Sequence, residues 1–203
     1  MTDKRHLILA SGSAARRAML NNAGLTFDVM PADIDEDAVK SAVLSADPHA
    51  TPDEIATRLA CEKARAVSRQ HPGILVIGAD QLLVFGDMLY AKVGSLIEAR
   101  AVLKKLRGRT HLLISAAALA RDGEVIWQGS ETARLTMREF SDAYLAQYLE
   151  TAGASILACV GCYELEGKGI QLFDKIDGDY FTVLGLPLLP LMAALRANGA
   201  VMA

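Results

Sequence analysis

The chain has 203 residues and a formal net charge of −3, with 52% hydrophobic and 22% charged residues. This is globular composition rather than that of a disordered chain, and the length is ample for a core in one domain, or in one domain with two lobes. A mildly acidic balance gives no general attraction to nucleic acid, so any polyanionic ligand must be met by a local cluster of positive groups.

In chain order, "LILASGSAARRAML" (residues 7–20) comes first, an apolar run that stops at Ser11-Gly12-Ser13 and continues with Arg16 and Arg17. The pattern predicts a buried strand, a tight turn and then a helix. Unpaired N–H groups at such a helix start suit an anion, and paired guanidinium groups would add forked donors. Two solvated arginines are the bland alternative. "ADIDED" (residues 32–37) packs four acids into six positions. Mg²⁺ uses one or two carboxylates plus substrate phosphates, so a ligand here is one reading and an acidic surface loop the other. It lacks the glycine and terminal glutamate of an EF-hand.

"TPDEIATRLACEKARAVSRQ" reads as a helix with Thr51 as N-cap, Pro52 at the first position and Glu54 closing a capping box. At about 100° per residue, Ile55, Ala56, Leu59, Ala60, Ala66 and Val67 fall within an arc of roughly 140°. Lys63 lies near the middle of that arc as its only charge, so it must snorkel out or meet an anion. The strand candidate "GILVIGA" follows, and its apolar run ends at Asp80. Catalytic carboxylates in α/β proteins sit where a central strand emerges into a cleft, although Asp also serves as an ordinary turn residue. Gly86 and Asp87 mark a turn after which the chain could double back and bring Lys92 toward Asp80.

"SLIEARAVLKKLRG" repeats the helix logic, with Ser95 as cap and Gly108 past the end. "HLLISAAALA" and "EVIWQGSETARLTM" are strands joined by a hairpin at Asp122-Gly123, a pair that favours a type I′ turn. "SDAYLAQYLETAG" and "PLLPLMAALRANG" are helices, whereas "GIQLF" and "FTVLGL" are strand candidates. Pro187 and Pro190 break the longest apolar stretch, which is too short to span a membrane. Cys159 and Cys162 form a lone C-x-x-C without a second ligand pair, which reads as two packed thiols or a redox dithiol. Three cysteines without a leader suggest a reducing, cytosolic compartment. His6 and His111 open strands, and no histidine accompanies a nucleophile motif. There is no P-loop and no dinucleotide-binding glycine fingerprint. Interleaved strands and helices with a hairpin predict an α/β fold with a mixed sheet.

Four separated segments, "LILASGSAARRAML", "ADIDED", "IGADQLLVFGDMLYAK" and "EGKGIQLFDKIDGDYFTVLGLPL", resemble in order the signature segments of the Maf family of nucleoside triphosphate pyrophosphatases, over about residues 7–195. The resemblance implies a two-lobed, inosine-triphosphatase-like fold spanning 1–203, with a nucleotide cleft between the lobes, and often a homodimer. It implies metal-dependent hydrolysis of a nucleoside triphosphate between the α and β phosphates, with Mg²⁺ or Mn²⁺ as the cofactor. Carried over, Ser11, Ser13, Arg16 and Arg17 match the phosphate-binding turn. Glu36 matches the acid of the family's Asp-Glu pair, and Lys63 the lysine of the second helix. Asp80 matches the proposed general base, and Lys92 the lysine that follows it; in the mechanism these residues suggest, Glu36 and Asp80 hold the metal together with phosphate oxygens. Gln81 after that aspartate, together with Glu166 in "YELEGKGI", is similar to the branch acting on 7-methyl-GTP rather than the pyrimidine-preferring branch. Lys92 departs from the family pattern, lying in Ala91-Lys92-Val93 instead of Gly-Lys-Pro. Two other readings make separate predictions: a nucleotide-binding regulator of septum formation, without strong catalysis, and a redox protein with a low-pKa thiol at Cys159 or Cys162.

Overall fold

The computed structural model describes residues 7–202; His6, expected to open the first strand, lies outside them. One mixed sheet has the strand order β2-β1-β3-β5-β6-β7, with β4 paired to β3. These strands are β1 (Leu7–Leu9), β2 (Asp28–Val29), β3 (Leu75–Phe85), β4 (Met88–Tyr90), β5 (Thr110–Arg121), β6 (Glu124–Met137) and β7 (Phe173–Asp177). β1 runs parallel to β2 and β3, whereas β4 and β7 are antiparallel to their partners. Helices α1 (Ala14–Asn22), α2 (Glu36–Ala46), α3 (Pro52–Ser68), α4 (Leu96–Leu106), α5 (Asp142–Ala152), α6 (Tyr180–Leu184) and α7 (Leu188–Ala197) complete the α/β architecture. No described helix is long and apolar enough to cross a membrane.

The chain divides into two compact units. The first comprises Met1–Gln81, Ser115–Glu131 and Gly185–Ala203; the second comprises Leu82–Ile114 and Thr132–Leu184. In the first unit, α3 starts with the full capping box: Thr51 accepts from the Glu54 N–H, and the Glu54 carboxylate accepts from the Thr51 N–H at 2.7 Å. α3 lies hard against β3. A Cβ on Gly78 would come within 2.1 Å of the Ala60 carbonyl oxygen and 2.8 Å of the Ala64 methyl, so only glycine permits this approach. In the second unit, Leu83, Leu103, Leu106, Leu135, Met137 and Leu145 anchor an apolar core. Asp122 and Gly123 both adopt positive φ, 53° and 82°, as the hairpin turn between β5 and β6 requires.

Four expectations need correction. The strand at "GILVIGA" continues past Asp80 to Phe85, because its far end pairs with β4 and the carboxylate of Asp80 has a cationic partner inside the fold. "GIQLF" is a 3₁₀ turn over Lys168–Leu172, and its strand begins only at Phe173. "FTVLGL" is the short helix α6, in which the Asp179 carboxylate accepts from the Thr182 N–H at 2.9 Å, so a side-chain cap overrides the β-branched composition. The acids of "ADIDED" are not a loop throughout. Asp35 caps α2 by accepting from the Ala38 N–H, and Glu36 and Asp37 occupy the first turn, where negative charge complements the helix dipole.

Candidate active site

Three distant segments of the first unit converge on one ammonium group. The Nζ of Lys63 lies 2.6 Å from Oδ1 of Asp80 and 2.7 Å from Oε1 of Glu36. Lys63 comes from the middle of α3, Asp80 from the middle of β3 and Glu36 from the first turn of α2. Gly78 and Asp80 share one face of β3 by the two-residue repeat of a strand, so the close contact at Gly78 carries Asp80 to the face of α3 that presents Lys63. The lysine on the apolar stripe therefore meets anions rather than snorkelling into water. Its side chain is 13% exposed and that of Asp80 is 9% exposed, so the pair is shielded, whereas Glu36 at 46% borders solvent.

The turn after β1 adds a second cation. Arg16 is buried, and its Nη1 donates to Ser11 Oγ at 3.0 Å and to the Ala79 carbonyl at 2.9 Å, while its Nε donates to the Gly185 carbonyl at 2.9 Å. Burial pulls the guanidinium pKa down, and the charges of Asp80 and Glu36 push it back up. Arg16 is thus a fixed positive group tying β1, β3 and the start of the last segment together. Ser13 caps α1 by accepting from the Arg16 N–H at 3.3 Å. Arg17 is exposed, and its side chain makes no hydrogen bond or ion pair among the described residues, although its backbone N–H donates to the Ser13 carbonyl at 3.1 Å. Of the two arginines, it is the one whose fork is available to an incoming anion.

Gln81 follows Asp80 and donates from Nε2 to Ser115 Oγ at 3.1 Å. Ser115, together with the carbonyls of Ala79 and Gly185, was not singled out from sequence. Ser115 was findable: it is one hydroxyl in the apolar run "LLISAAALA", and it is fully buried. Carbonyl acceptors leave no trace in residue identity.

Lys92 and Glu166 belong to the second unit, whereas the residues grouped around Lys63 belong to the first. The turn at Gly86-Asp87 does double the chain back, as the β3–β4 hairpin. Lys92, which follows it, is exposed, as is Glu166. Both act electrostatically on Cys159, Glu166 raising its thiol pKa and Lys92 lowering it. Cys159 and Cys162 are nevertheless each pushed up to about 11, chiefly by burial. A redox dithiol needs the opposite shift, so burial here favours the reading of packed thiols.

Glu36 and Asp80 suit a small divalent cation. Their oxygens already converge on a single cationic point, and Mg²⁺ characteristically takes one or two carboxylates and leaves its other positions to phosphate and water. Among the described residues no set of three or more His, Cys, Asp or Glu side chains gathers as a self-sufficient metal cage.

A sequence model described as Maf-like protein matches residues 6–198. The chain is 54% identical over 192 residues to a nucleoside triphosphate pyrophosphatase from Caulobacter vibrioides, covering 95% of each chain. It is 49% identical over 201 residues to a 7-methyl-GTP pyrophosphatase from Mesorhizobium japonicum, covering 99% of each. Among solved structures, a nucleoside-triphosphatase (dITP/XTP pyrophosphatase) from Mycobacterium abscessus aligns over 96% of this chain and 95% of that one, with 12% identity and a TM-score of 0.38.

Proposed function

The chain belongs to the Maf-like protein family, and on that footing we propose that it hydrolyses a nucleoside triphosphate to the monophosphate and pyrophosphate, with 7-methyl-GTP as the preferred substrate. The observation that carries the reading is the meeting of Asp80, Glu36 and Lys63 beside the buried Arg16. In an acidic chain this is a local set of charges suited to a polyanion and to the carboxylate chemistry of water attack.

Asp80 accepts the proton of the attacking water. The water oxygen bonds to the α-phosphorus as the bond from that phosphorus to the α–β bridging oxygen breaks, and pyrophosphate leaves with the electron pair. Arg17 at the start of α1 and Lys92 in the second unit bind phosphate oxygens, and Ser11 and Ser13 shape the turn that receives them. Arg16 holds Ser11 and the backbone of β3 in place, and its fixed charge favours the anionic ligand. Glu36 and Asp80 would hold a Mg²⁺ or Mn²⁺ ion, which when bound neutralises negative charge on the triphosphate. Phosphoryl transfer leaves the protein mainly the tasks of positioning and charge stabilisation, and this set of groups is suited to both.

Base selection falls to Gln81 and Glu166. A carboxylate at Glu166 accepts from the guanine N1–H and the 2-amino group, and it suits a base made cationic by N7 methylation. Ser115 holds the Gln81 amide through its Nε2 group. The relative from Mesorhizobium japonicum bears the name of that activity. A cytosolic, homodimeric enzyme is part of the same reading, supported in its first half by three free cysteines.

The deciding experiment is a panel of canonical and modified nucleoside triphosphates with Mg²⁺, Mn²⁺ or EDTA, scored for monophosphate product. Preferential, metal-dependent turnover of 7-methyl-GTP is expected. Nucleotide binding without turnover would favour a regulator of septum formation instead.

A further inference from the structure

The geometry points to Lys63 as a built-in occupant of the cation position: its ammonium sits between Glu36 and Asp80 and is expelled when the divalent ion arrives. This rests on the reading of Glu36 and Asp80 as the carboxylates that hold the ion, and it adds an exchange step to that reading.

Three observations carry it. First, Nζ lies within 2.7 Å of both carboxylates, so its hydrogen bonds use oxygens that an ion would need at about 2.1 Å. An ion bridging those same two oxygens would take the place the ammonium fills, and the two like charges repel across it. Second, the two carboxylates already face two cations, Lys63 and the buried Arg16, whose guanidinium feels both Asp80 and Glu36. Adding a divalent ion without removing anything would bring two more positive charges beside a shielded pair. Third, only one of the two resident cations can move. Arg16 is locked by three hydrogen bonds, to Ser11, Ala79 and Gly185, whereas Lys63 is a point charge on a flexible four-carbon stem whose ammonium is held by the two acids.

Expulsion frees an ammonium group at the moment a triphosphate needs one. The ion and the triphosphate therefore assist each other through Lys63: the ion releases the lysine, and the phosphate gives it a new partner. By linkage each ligand raises the affinity for the other. In the absence of nucleotide the same lysine keeps the carboxylates neutralised and weakens binding of the ion alone.

The test is calorimetric titration of the full chain with Mn²⁺ alone. Lys63→Gln should bind one Mn²⁺ at least tenfold tighter than the wild-type protein, and the gain should vanish in the Lys63→Gln/Asp80→Asn double variant. Equal or weaker binding by a Lys63→Gln protein with unchanged circular dichroism overturns the exchange. A second measurement needs no variant. Acetylation of wild-type Lys63 by a limiting acylating reagent, read by mass spectrometry, should rise severalfold when Mg²⁺ is added at constant ionic strength, with Lys40 and Lys105 unchanged. Equal labelling with and without Mg²⁺ also overturns it. Failure of the underlying reading looks different: wild-type turnover would then be insensitive to EDTA. If turnover needs the metal while Lys63→Gln binds Mn²⁺ no tighter, only the exchange falls.

Discussion

Asp80 illustrates how a single side chain can satisfy the fold and the chemistry together. A carboxylate in the middle of a buried strand is costly unless paired, and Lys63 supplies the pair at 2.6 Å. Asp80→Asn keeps the shape and a hydrogen-bonding oxygen while removing the proton acceptor. Its kcat should fall by a factor of about 100 or more, as expected for loss of a general base, with nucleotide affinity changed only severalfold; equilibrium binding beside steady-state kinetics checks both. Near-normal turnover would remove Asp80 from its role. Arg16 behaves differently, since its donors are directed to Ser11 and two backbone carbonyls rather than outward. Arg16→Met leaves those acceptors buried and unpaired, so it should lower stability by about 3–5 kcal/mol in chemical denaturation. Arg17→Met, in contrast, should leave stability nearly unchanged and raise KM. At Glu166, replacement by Ala should lower the ratio of 7-methyl-GTP to dTTP turnover by about fivefold or more, because a base donor left unpaired costs about 1 kcal/mol or more. An unchanged ratio would remove Glu166 from base selection.

At the scale of elements, the contact of β3 with α3 is what sets the distance from Lys63 to Asp80. Gly78→Ala places a methyl 2.1 Å from the Ala60 carbonyl oxygen and 2.6 Å from the Ala64 backbone nitrogen, where no side chain can yield. The strand must withdraw from the helix. Overpacking of this kind costs about 3 kcal/mol, or roughly 6–12 °C in Tm for a chain of this size. Activity should fall together with Tm, because the same displacement lengthens the Lys63–Asp80 pair; thermal melts and kcat on the folded variant measure the two effects separately. The helix caps at Thr51 and Ser95 were legible beforehand because capping is a local rule written in three or four adjacent residues. The role of Lys63 was half legible: its place on the apolar stripe required a partner, and only the fold could say that Asp80 and Glu36 both supply it. α2 was missed because none of its residues is fully buried, so it offers little apolar periodicity, and its acidic cap resembles a loop. α6 was missed because two β-branched residues outweighed one capping aspartate, although the cap determined the structure. Gly185 could not be assigned a role, because what matters there is a carbonyl aimed at Arg16 and a φ of +108°.

At the scale of the whole molecule, one buried histidine ties stability to pH. His111 is 1% exposed in the second unit, where its Nε2 lies 2.7 Å from the Tyr163 hydroxyl and its Nδ1 has no hydrogen-bond partner among the described residues. The ring is packed against Phe173, with centroids 6.0 Å apart. Burial alone lowers its pKa from the usual 6.5 to about 4. In the unfolded chain the same imidazole takes up a proton near its ordinary pKa, so between these values the unfolded state binds more protons than the folded one. The contribution is therefore absent as a penalty above pH 6.5. As pH falls through the window from 6.5 to 4 it becomes a progressive destabilisation, and below 4 it levels off. A shift of this size corresponds to about 3 kcal/mol across the window. Urea denaturation of the wild-type chain at a series of pH values should show that slope superimposed on the titration of the acids. His111→Phe deletes the titrating group, and it also removes the hydrogen bond to Tyr163, so its stability at pH 7.5 should be lower while its loss between pH 6.5 and pH 4 is smaller. Parallel curves for the two proteins would mean that the folded imidazole takes up its proton as readily as the unfolded one, so that burial does not lower its pKa.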